Sequence, residues 1–440
     1  MWYSCIQNGH VGGHMNQSTE ERLISILKRE LIPAMGCTEP IAIALAAAKA
    51  REVLGVEPKK ICVGCSSNII KNVKSVTIPG THGLHGIEAA AVAGAFAGKP
   101  GAGMQVLAEV TEARKDLISE RLKEGICSSY HLKTDHALHI RVEMCSGEEN
   151  TVAEICDDHD NFVLLEKNGR VLMDRREDCS KFGKEELQEE AGILKLSVIR
   201  EFADTVDIGK IRPILEKQIA CNMAIAEEGM HGGYGLYYAS ALLDEHSTVY
   251  DRMEAYAASG SEARMSGCAM PVIINSGSGT QGITSSVPAI IYCREKGYSE
   301  EKLFRVLAFS NLVTVAQKQY IGKLSAFCGA ISAACASGAA LTYAEGGTLE
   351  QICDTVSNTL AVAAGIICDG AKPSCGAKIA IGLHAAINAH KLAMKNRSYQ
   401  PGEGIVCQDA DTTIKEVGRI AKDGMEQTDA EIISVMLENL

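Results

Sequence analysis

From residue 184 onward, apolar residues recur with a helical period, and the glycines are gathered into the gaps between helices. The period runs through 184–204, 209–228, 249–263, 299–318, 324–345, 348–364 and 375–392, and again near the C-terminus. The breaks fall at 229–235, 275–282, 346–347 and 365–375. A chain written this way packs as helices and leaves its special backbone to the connecting loops, where function usually sits. No repeat and no low-complexity tract accompanies the pattern.

Between 58 and 180 the period becomes two. Strands are expected at 61–65 and 73–78, the second ending at Pro79-Gly80. In 136–145, Leu138, Ile140, Val142 and Met144 alternate with His139, Arg141 and Glu143. Segments 162–165 and 171–173 flank Asn168-Gly169, a type I′ hairpin signal. A small-residue helix is expected over 88–97.

Residues 16–57 read as two helices. The first opens on a capping box, Ser18-Thr19-Glu20-Glu21, and stops at Pro33. The second starts with Thr38 as N-cap and Pro40 in its first turn. The expected fold class is α+β: an all-helical catalytic domain at 181–440, a smaller inserted α+β domain at 58–180, and 16–57 docking on the helices. Residues 1–15 have neither a basic nor an apolar region, so they read as a loose tail and not a signal peptide.

Charge excludes some partners. Lys and Arg number 43 against 55 Asp and Glu, a formal charge of −12, which disfavours nucleic acid and a polybasic membrane contact. No apolar run approaches the roughly eighteen residues of a membrane span. The expectation is a cytoplasmic protein acting on a small molecule, with homo-oligomerisation left open.

Seventeen cysteines are unusual. An odd number in a long chain without an export signal argues against a disulfide framework. Most, such as Cys127, Cys221, Cys293 and Cys353, lie in apolar stretches, where a thiol acts as a small hydrophobe. Cys328 and Cys335 are seven apart in a helical pattern. Cys368 and Cys375 bracket a loop in which Gly370 and Pro373 forbid a continuous helix. Two thiols across such a loop can converge with a third, and soft thiolates select zinc or an iron–sulfur cluster. Cys37 stands before a helix amino end, which favours its thiolate.

The 275–282 loop, with Ser276, Gly277, Ser278 and Gln281, can cradle a small anion or simply make a tight turn; it is neither a P-loop nor a dinucleotide fingerprint. His82 and His85 read as solvated loop residues. Cys62 and Cys65 fall on opposite faces of a strand, and Asp157-Asp158-His159-Asp160 reads as a polar turn.

Taken in order, several segments resemble the L-cysteine desulfidase family, relatives of the iron–sulfur L-serine dehydratases of alpha-chain type. They are Gly36-Cys-Thr-Glu-Pro40, Pro79-Gly-Thr81, Asn275-Ser-Gly-Ser-Gly-x-Gln-Gly282, Gly322-Lys-Leu-Ser-Ala-x-Cys-Gly329 and Ile367-Cys-Asp-Gly-Ala-Lys-x-Ser-Cys375. The resemblance implies a [4Fe–4S] cluster on Cys328, Cys368 and Cys375, with Cys37 as proton acceptor or as a transient fourth ligand. Cys335 should then point elsewhere. Two positions depart from the family pattern: His82 stands where glycine is usual, and Thr280 where asparagine is usual.

Three thiolates leave one iron of a cubane open to act as a Lewis acid on the substrate. The implied reaction is β-elimination from L-cysteine to pyruvate, hydrogen sulfide and ammonium, or the same elimination from L-serine. Lys323, Lys372 and the 276–281 loop are candidates, by charge and position, for holding the substrate carboxylate. Two rivals remain: a pyridoxal-phosphate lyase with Lys323 as the Schiff base, and a non-catalytic redox or iron sensor.

Overall fold

The computed structural model describes residues 15–177 and 189–438, so the expected tail, Met15 aside, and the start of the helical period at 184 lie outside the described residues. Helix α1 (Gln17–Glu30) is capped by Asn16, whose side chain accepts from Ser18 N at 3.0 Å. The cap thus precedes the expected box, since asparagine competes well with serine for this role. Strand β1 (Pro33–Met35) follows, and then α2 (Thr38–Leu54), capped by Cys37 rather than Thr38.

Beyond α2 the chain builds a sheet unit. It runs through β2 (Lys60–Cys65), α3 (Ser67–Val73), α4 (Ile87–Ala97), α5 (Glu112–Lys123) and β3 (Cys127–His131). It continues as β4 (His139–Ser146), β5 (Glu149–Cys156), β6 (Phe162–Lys167) and β7 (Arg170–Asp174). The sheet order is β3-β2-β4-β5-β6-β7, with β2–β3 parallel and the remaining pairs antiparallel. Asn168 and Gly169 carry φ of 52° and 76°, the left-handed pair that a type I′ turn requires.

The strand expected over 73–78 is absent. Ile69 and Val73 bury one face of α3 at helical spacing, and the β-branched residues after it lie in an irregular connection. Strands β3 and β5 were not foreseen. β3 is largely exposed, and its Ser-Ser-Tyr-His run carries no alternating apolar signal.

The helical half comprises α6 (Leu196–Thr205), α7 (Ile208–Met230), α8 (Val249–Met265), strand β8 (Pro271–Ile273), α9 (Gly279–Glu295) and α10 (Glu300–Ile321). It continues with α11 (Gly329–Ala344), α12 (Leu349–Ala363), α13 (Cys375–Ala393), α14 (Ala410–Arg419) and α15 (Glu426–Glu438). One strand therefore interrupts the expected all-helical domain: β8 pairs antiparallel with β1, stitching the N-terminal segment to this half. The 16–57 segment divides. α1 packs on α7 and α10, whereas α2 lies between α4 and strands β4, β5 and β6.

Helix α11 is the axis of the helical half, in contact with α9, α10, α12 and α13. It is buried from Ala330 to Ala344, as a helix apolar all round must be. Small residues let its neighbours approach: a Cβ on Gly338 would stand 2.8 Å from Ala386 O of α13. The helix expected from 324 begins at 329, because Cys328 is its N-cap and 322–328 forms a loop. This puts the motif cysteine at a helix end instead of on a helix face.

Candidate active site

Helix amino ends gather at one place. Cys328 caps α11 and Cys375 opens α13. A short antiparallel bridge joins Phe327 to Ile367: Cys328 N donates to Ile366 O at 3.1 Å, and Cys368 N donates to Ala326 O at 2.6 Å. The two segments thus lie side by side, and Cys375 returns to them through the 369–374 turn. Burial, then Cys368 and Cys375, push the Cys328 thiol up to about 12. Burial and Cys368 likewise raise Cys375. Cys328 thus feels both of the others, and Cys375 feels Cys368.

A buried cation faces them. Lys318 of α10 is 5% exposed, and burial pulls its ammonium down to about 8 against the upward influence of Cys368 and Cys328. Every cysteine among the described residues is a free thiol. Cys335 turns away, its Sγ 3.8 Å from Val356 O of α12. Three soft thiols beside one buried lysine suit a cluster, which carries a thiolate on each of several irons. The tighter grouping that one ion needs is found elsewhere: ligand atoms of His136, Cys156 and Asp157 lie within 4.8 Å of one another.

The 366–375 loop depends on a glycine. Gly370 has φ 94°, and a Cβ there would stand 2.3 Å from Lys71 O. Lys372 and Lys378 both pair with Asp369. Burial opposes ionisation of that carboxyl, but its bonds to the two lysines hold it down at about 2.

Cys37 has a different setting. Its Sγ donates to Glu39 Oε2 at 2.8 Å, and Thr38 Oγ1 donates to the same oxygen at 3.1 Å. Burial and the Glu39 charge push the thiol well above its ordinary value, with Arg264 pulling the other way. The thiolate-favouring effect expected from the helix end is therefore overturned, because the first turn of α2 brings its own carboxylate. Cys37 packs with Val76, Met265 and Ala371, and Cys375 lies against this group, so the fourth thiol borders one of the other three.

Arg264, at the end of α8, fixes the arrangement. It is 1% exposed, donating from Nη1 to Gly36 O at 2.6 Å and from Nη2 to Thr280 Oγ1 at 2.7 Å. The Thr280 departure from the family pattern thus supplies an acceptor that joins the first motif to the 275–282 loop. The Pro79 motif stacks on the first as well: a Cβ on Gly36 would stand 2.7 Å from Pro79 Cγ. His82 pairs with Asp116 at 3.1 Å on the surface, as a solvated histidine would.

In the 275–282 loop, Ser276 and Gly277 have φ of 48° and 78°, while Asn275 and Ser278 exchange backbone bonds of 3.1 and 3.0 Å. Helix α9 leaves from Ser278 without a side-chain cap. Gln281 leans on Gly329, next to Cys328, with its Oε1 buried and unpartnered. At the other end, Lys323 pairs with Asp158 from the β5–β6 turn of the sheet unit. Lys323 also lines a cavity of 530 Å³ with Asp157, Ser325 and Asp429.

Four functional candidates escaped the sequence. Glu39 stood inside a motif with no role assigned. Lys318 was the one charge in the run 306–321, and Arg264, with Glu262, stood at the end of a small-residue run beginning at Ala255, which was the available signal. His159, expected to be part of a solvated turn, is 3% exposed.

Free thiols at helix amino ends of a helical core, with a sheet unit reaching across a glycine-built loop, make this region the candidate site. Residues 101–434 match the family described as serine dehydratase alpha chain. The chain is also 47% identical over 419 residues to a UPF0597 protein of Lachnoclostridium phytofermentans, covering 95% of this chain and 99% of that one. Similar proteins of Finegoldia magna (44%, covering 94% and 98%) and Treponema denticola (41%, covering 97% and 100%) carry the same description. The chain belongs to the serine dehydratase alpha-chain family, and that membership supports a lyase-type activity on a small amino acid. Among the described residues no helix is long and apolar enough to cross a membrane.

Proposed function

We propose that this protein is a cytoplasmic iron–sulfur lyase converting L-cysteine to pyruvate, hydrogen sulfide and ammonium. The observation that carries the proposal is the neighbouring thiols Cys328, Cys368 and Cys375, with the buried Lys318 beside the first two. These three thiolates would hold a [4Fe–4S] cluster, and Lys318 and Lys378 would offset their charge. When bound, such a cluster supplies an iron with an open position, a Lewis acid for the β-substituent.

The chain's own residues handle the proton. Cys37 borders Cys375 of the trio and hydrogen-bonds Glu39, so Cys37 and Glu39 would form a relay. Glu39 draws the proton from Sγ, and the sulfur then accepts the proton from Cα. As the Cα–H bond breaks, the Cβ–S bond breaks with its electron pair, and the hydrosulfide that leaves takes up the proton held by Glu39 to give hydrogen sulfide. The enamine left behind tautomerises and is hydrolysed by water to pyruvate and ammonium. The role expected of Cys37 thus needs its neighbour, since burial alone keeps the thiol protonated.

Substrate contacts fall to Ser276, Gly277, Ser278 and Gln281, where backbone N–H groups and one unpartnered amide oxygen meet the cleft. Lys323 and Lys372 are already ion-paired with Asp158 and Asp369, so they shape the local field more than they offer free charge. The same pairing disfavours Lys323 as a Schiff-base lysine, which must be neutral to react. L-Serine is the second substrate to consider, favoured by the name of the matching family. Anaerobically prepared protein should release keto acid and sulfide from L-cysteine faster than it releases keto acid from L-serine. Release from neither would reject the proposal.

A further inference from the structure

His159 is the most anomalous polar side chain in the cleft. It sits at the tip of the β5–β6 turn, 3% exposed, and neither Nδ1 nor Nε2 has a hydrogen-bond partner. Buried imidazole nitrogens are seldom left unsatisfied without a ligand or water to meet them. The ring does not rest in the sheet unit's own core. It crosses to the helical half and lies against Gly277: a Cβ there would stand 3.1 Å from His159 Cε1 and 3.3 Å from Nδ1. The same point is 3.6 Å from Lys323 Cδ. Gly277 is therefore needed both for its φ of 78° and for the absence of a side chain beneath the histidine.

What the ring faces is complementary to an anion. Gly277 belongs to the turn that delivers the amino end of α9, a helix of 17 residues whose N-cap Ser278 makes no side-chain bond to the first turn. Its leading N–H groups are thus left for an acceptor from outside the helix. The nearest acid, Asp158, is committed to Lys323, and its Oδ1 is 3.8 Å from His159 Nδ1, beyond hydrogen-bonding reach. Of the cation-forming groups around this loop, Lys323 is engaged by Asp158 and Arg264 by Gly36 and Thr280. Both nitrogens of His159, like the buried Nε of Arg264 beside Gly279, are without a hydrogen-bond partner.

We propose that His159 and the amino end of α9 form the subsite that binds the α-carboxylate of the amino-acid substrate. The subsite spans the two halves of the molecule, with the sheet unit supplying the imidazole and the helical half the backbone donors. This assignment rests on the lyase proposal for the identity of the substrate, but not on its chemistry. It makes His159 a binding residue: the substrate is held by its carboxylate at this end of the loop, while Gln281, at the other end, lies beside Cys328. The sheet unit is then a working part of the site and not only a cover.

The test is equilibrium binding of two probes to the anaerobically prepared holoprotein by calorimetry. L-Alanine has the carboxylate and ammonium but no leaving group; L-alaninol replaces the carboxylate with an alcohol. Wild type should bind L-alanine more tightly than L-alaninol. In His159→Asn and His159→Gln, L-alanine affinity should fall roughly tenfold to a hundredfold, as for loss of a charge-assisted hydrogen bond, while L-alaninol affinity stays the same. Using two variants guards against one that fails to fold, and thermal melting identifies it. Turnover should show KM raised far more than kcat is lowered. Equal losses for the two probes, unchanged L-alanine binding in a folded variant, or no preference for L-alanine in wild type would each overturn the proposal. A protein that binds L-alanine through His159 yet turns over neither cysteine nor serine would sink the lyase proposal and leave the subsite standing.

Discussion

The thiol at the start of α2 and the three thiols at the starts of α11 and α13 and in the loop that leads into α13 have opposite surroundings. Cys37 donates to a carboxylate 2.8 Å away, whereas Cys328 and Cys368 face the ammonium of Lys318. Burial raises Cys37 on one side and Cys328 and Cys375 on the other. The difference lies in what each gains on losing its proton. A thiolate in the trio is matched by lysine and by any bound metal. A thiolate at Cys37 is repelled by Glu39 unless that carboxylate takes up the proton. On the proposed reading, the same element would serve metal ligation in one place and proton transfer in the other, set apart by a single neighbouring charge.

The largest expected effect comes from breaking the trio. Cys375→Ser should lose most of its iron and all turnover together, read by iron per chain and keto-acid release. Retention of a full iron complement would remove Cys375 from the ligand set. Next is the carboxylate beside Cys37. Glu39→Gln should keep the iron but slow turnover about a hundredfold, in line with general acid–base contributions of ~10² or more. Glu39 raises the Cys37 thiol, so its removal should also move the alkaline rise in rate to lower pH. An unchanged pH profile would separate the two residues functionally.

Lys318→Met tests the other side of the comparison. Iron affinity should fall roughly tenfold, the low end of what outer partners of metal ligands contribute. The measurement is iron retained during anaerobic competition with a chelator, and an unchanged value would make the lysine a bystander.

The smallest effect defines the acid limit of all these assays. His390 of α13 is 4% exposed, bonded to Thr342 at 2.9 Å, and held down to about 4 chiefly by burial. The unfolded chain takes up this proton near pH 6.5 while the folded chain refuses it. Stability is therefore complete above 6.5 and declines as pH falls toward 4, by about 3 kcal/mol. His390→Asn should flatten the slope of melting temperature against pH across that window, which separates unfolding from protonation of the thiols.

The sequence made the contrast between the two halves plain but not the contact between them. Helical period and collected glycines located α7, α8 and α10 to α13 because those signals are local, whereas α9, which follows directly on the 275–282 glycine loop, was not foreseen. The Asn168-Gly169 turn was equally legible, since a left-handed pair has few alternatives. Val73 to Ile78 misled because β-branched residues also serve an irregular connection packed beneath the site. The ligand candidates were visible through motif order. Their partners were not, because Lys318, Arg264 and Glu39 act through burial and neighbours distant in the chain, which periodicity does not encode. His159 was hidden in a run of acids that looks solvated, and only the crossing of the β5–β6 turn to Gly277 reveals its burial.

The division of labour among the thiols is best tested on Cys37→Ser and Cys368→Ser, prepared anaerobically side by side, with iron per chain, absorption spectrum and turnover measured on the same samples. Cys37→Ser should keep the iron content and spectrum of the unaltered protein and lose turnover by roughly a hundredfold to ten-thousandfold, since a hydroxyl is a poor base. Cys368→Ser should lose iron and turnover together. An altered spectrum in Cys37→Ser would make that thiol a ligand like the others, and wild-type turnover would deny it any role in the proton transfer.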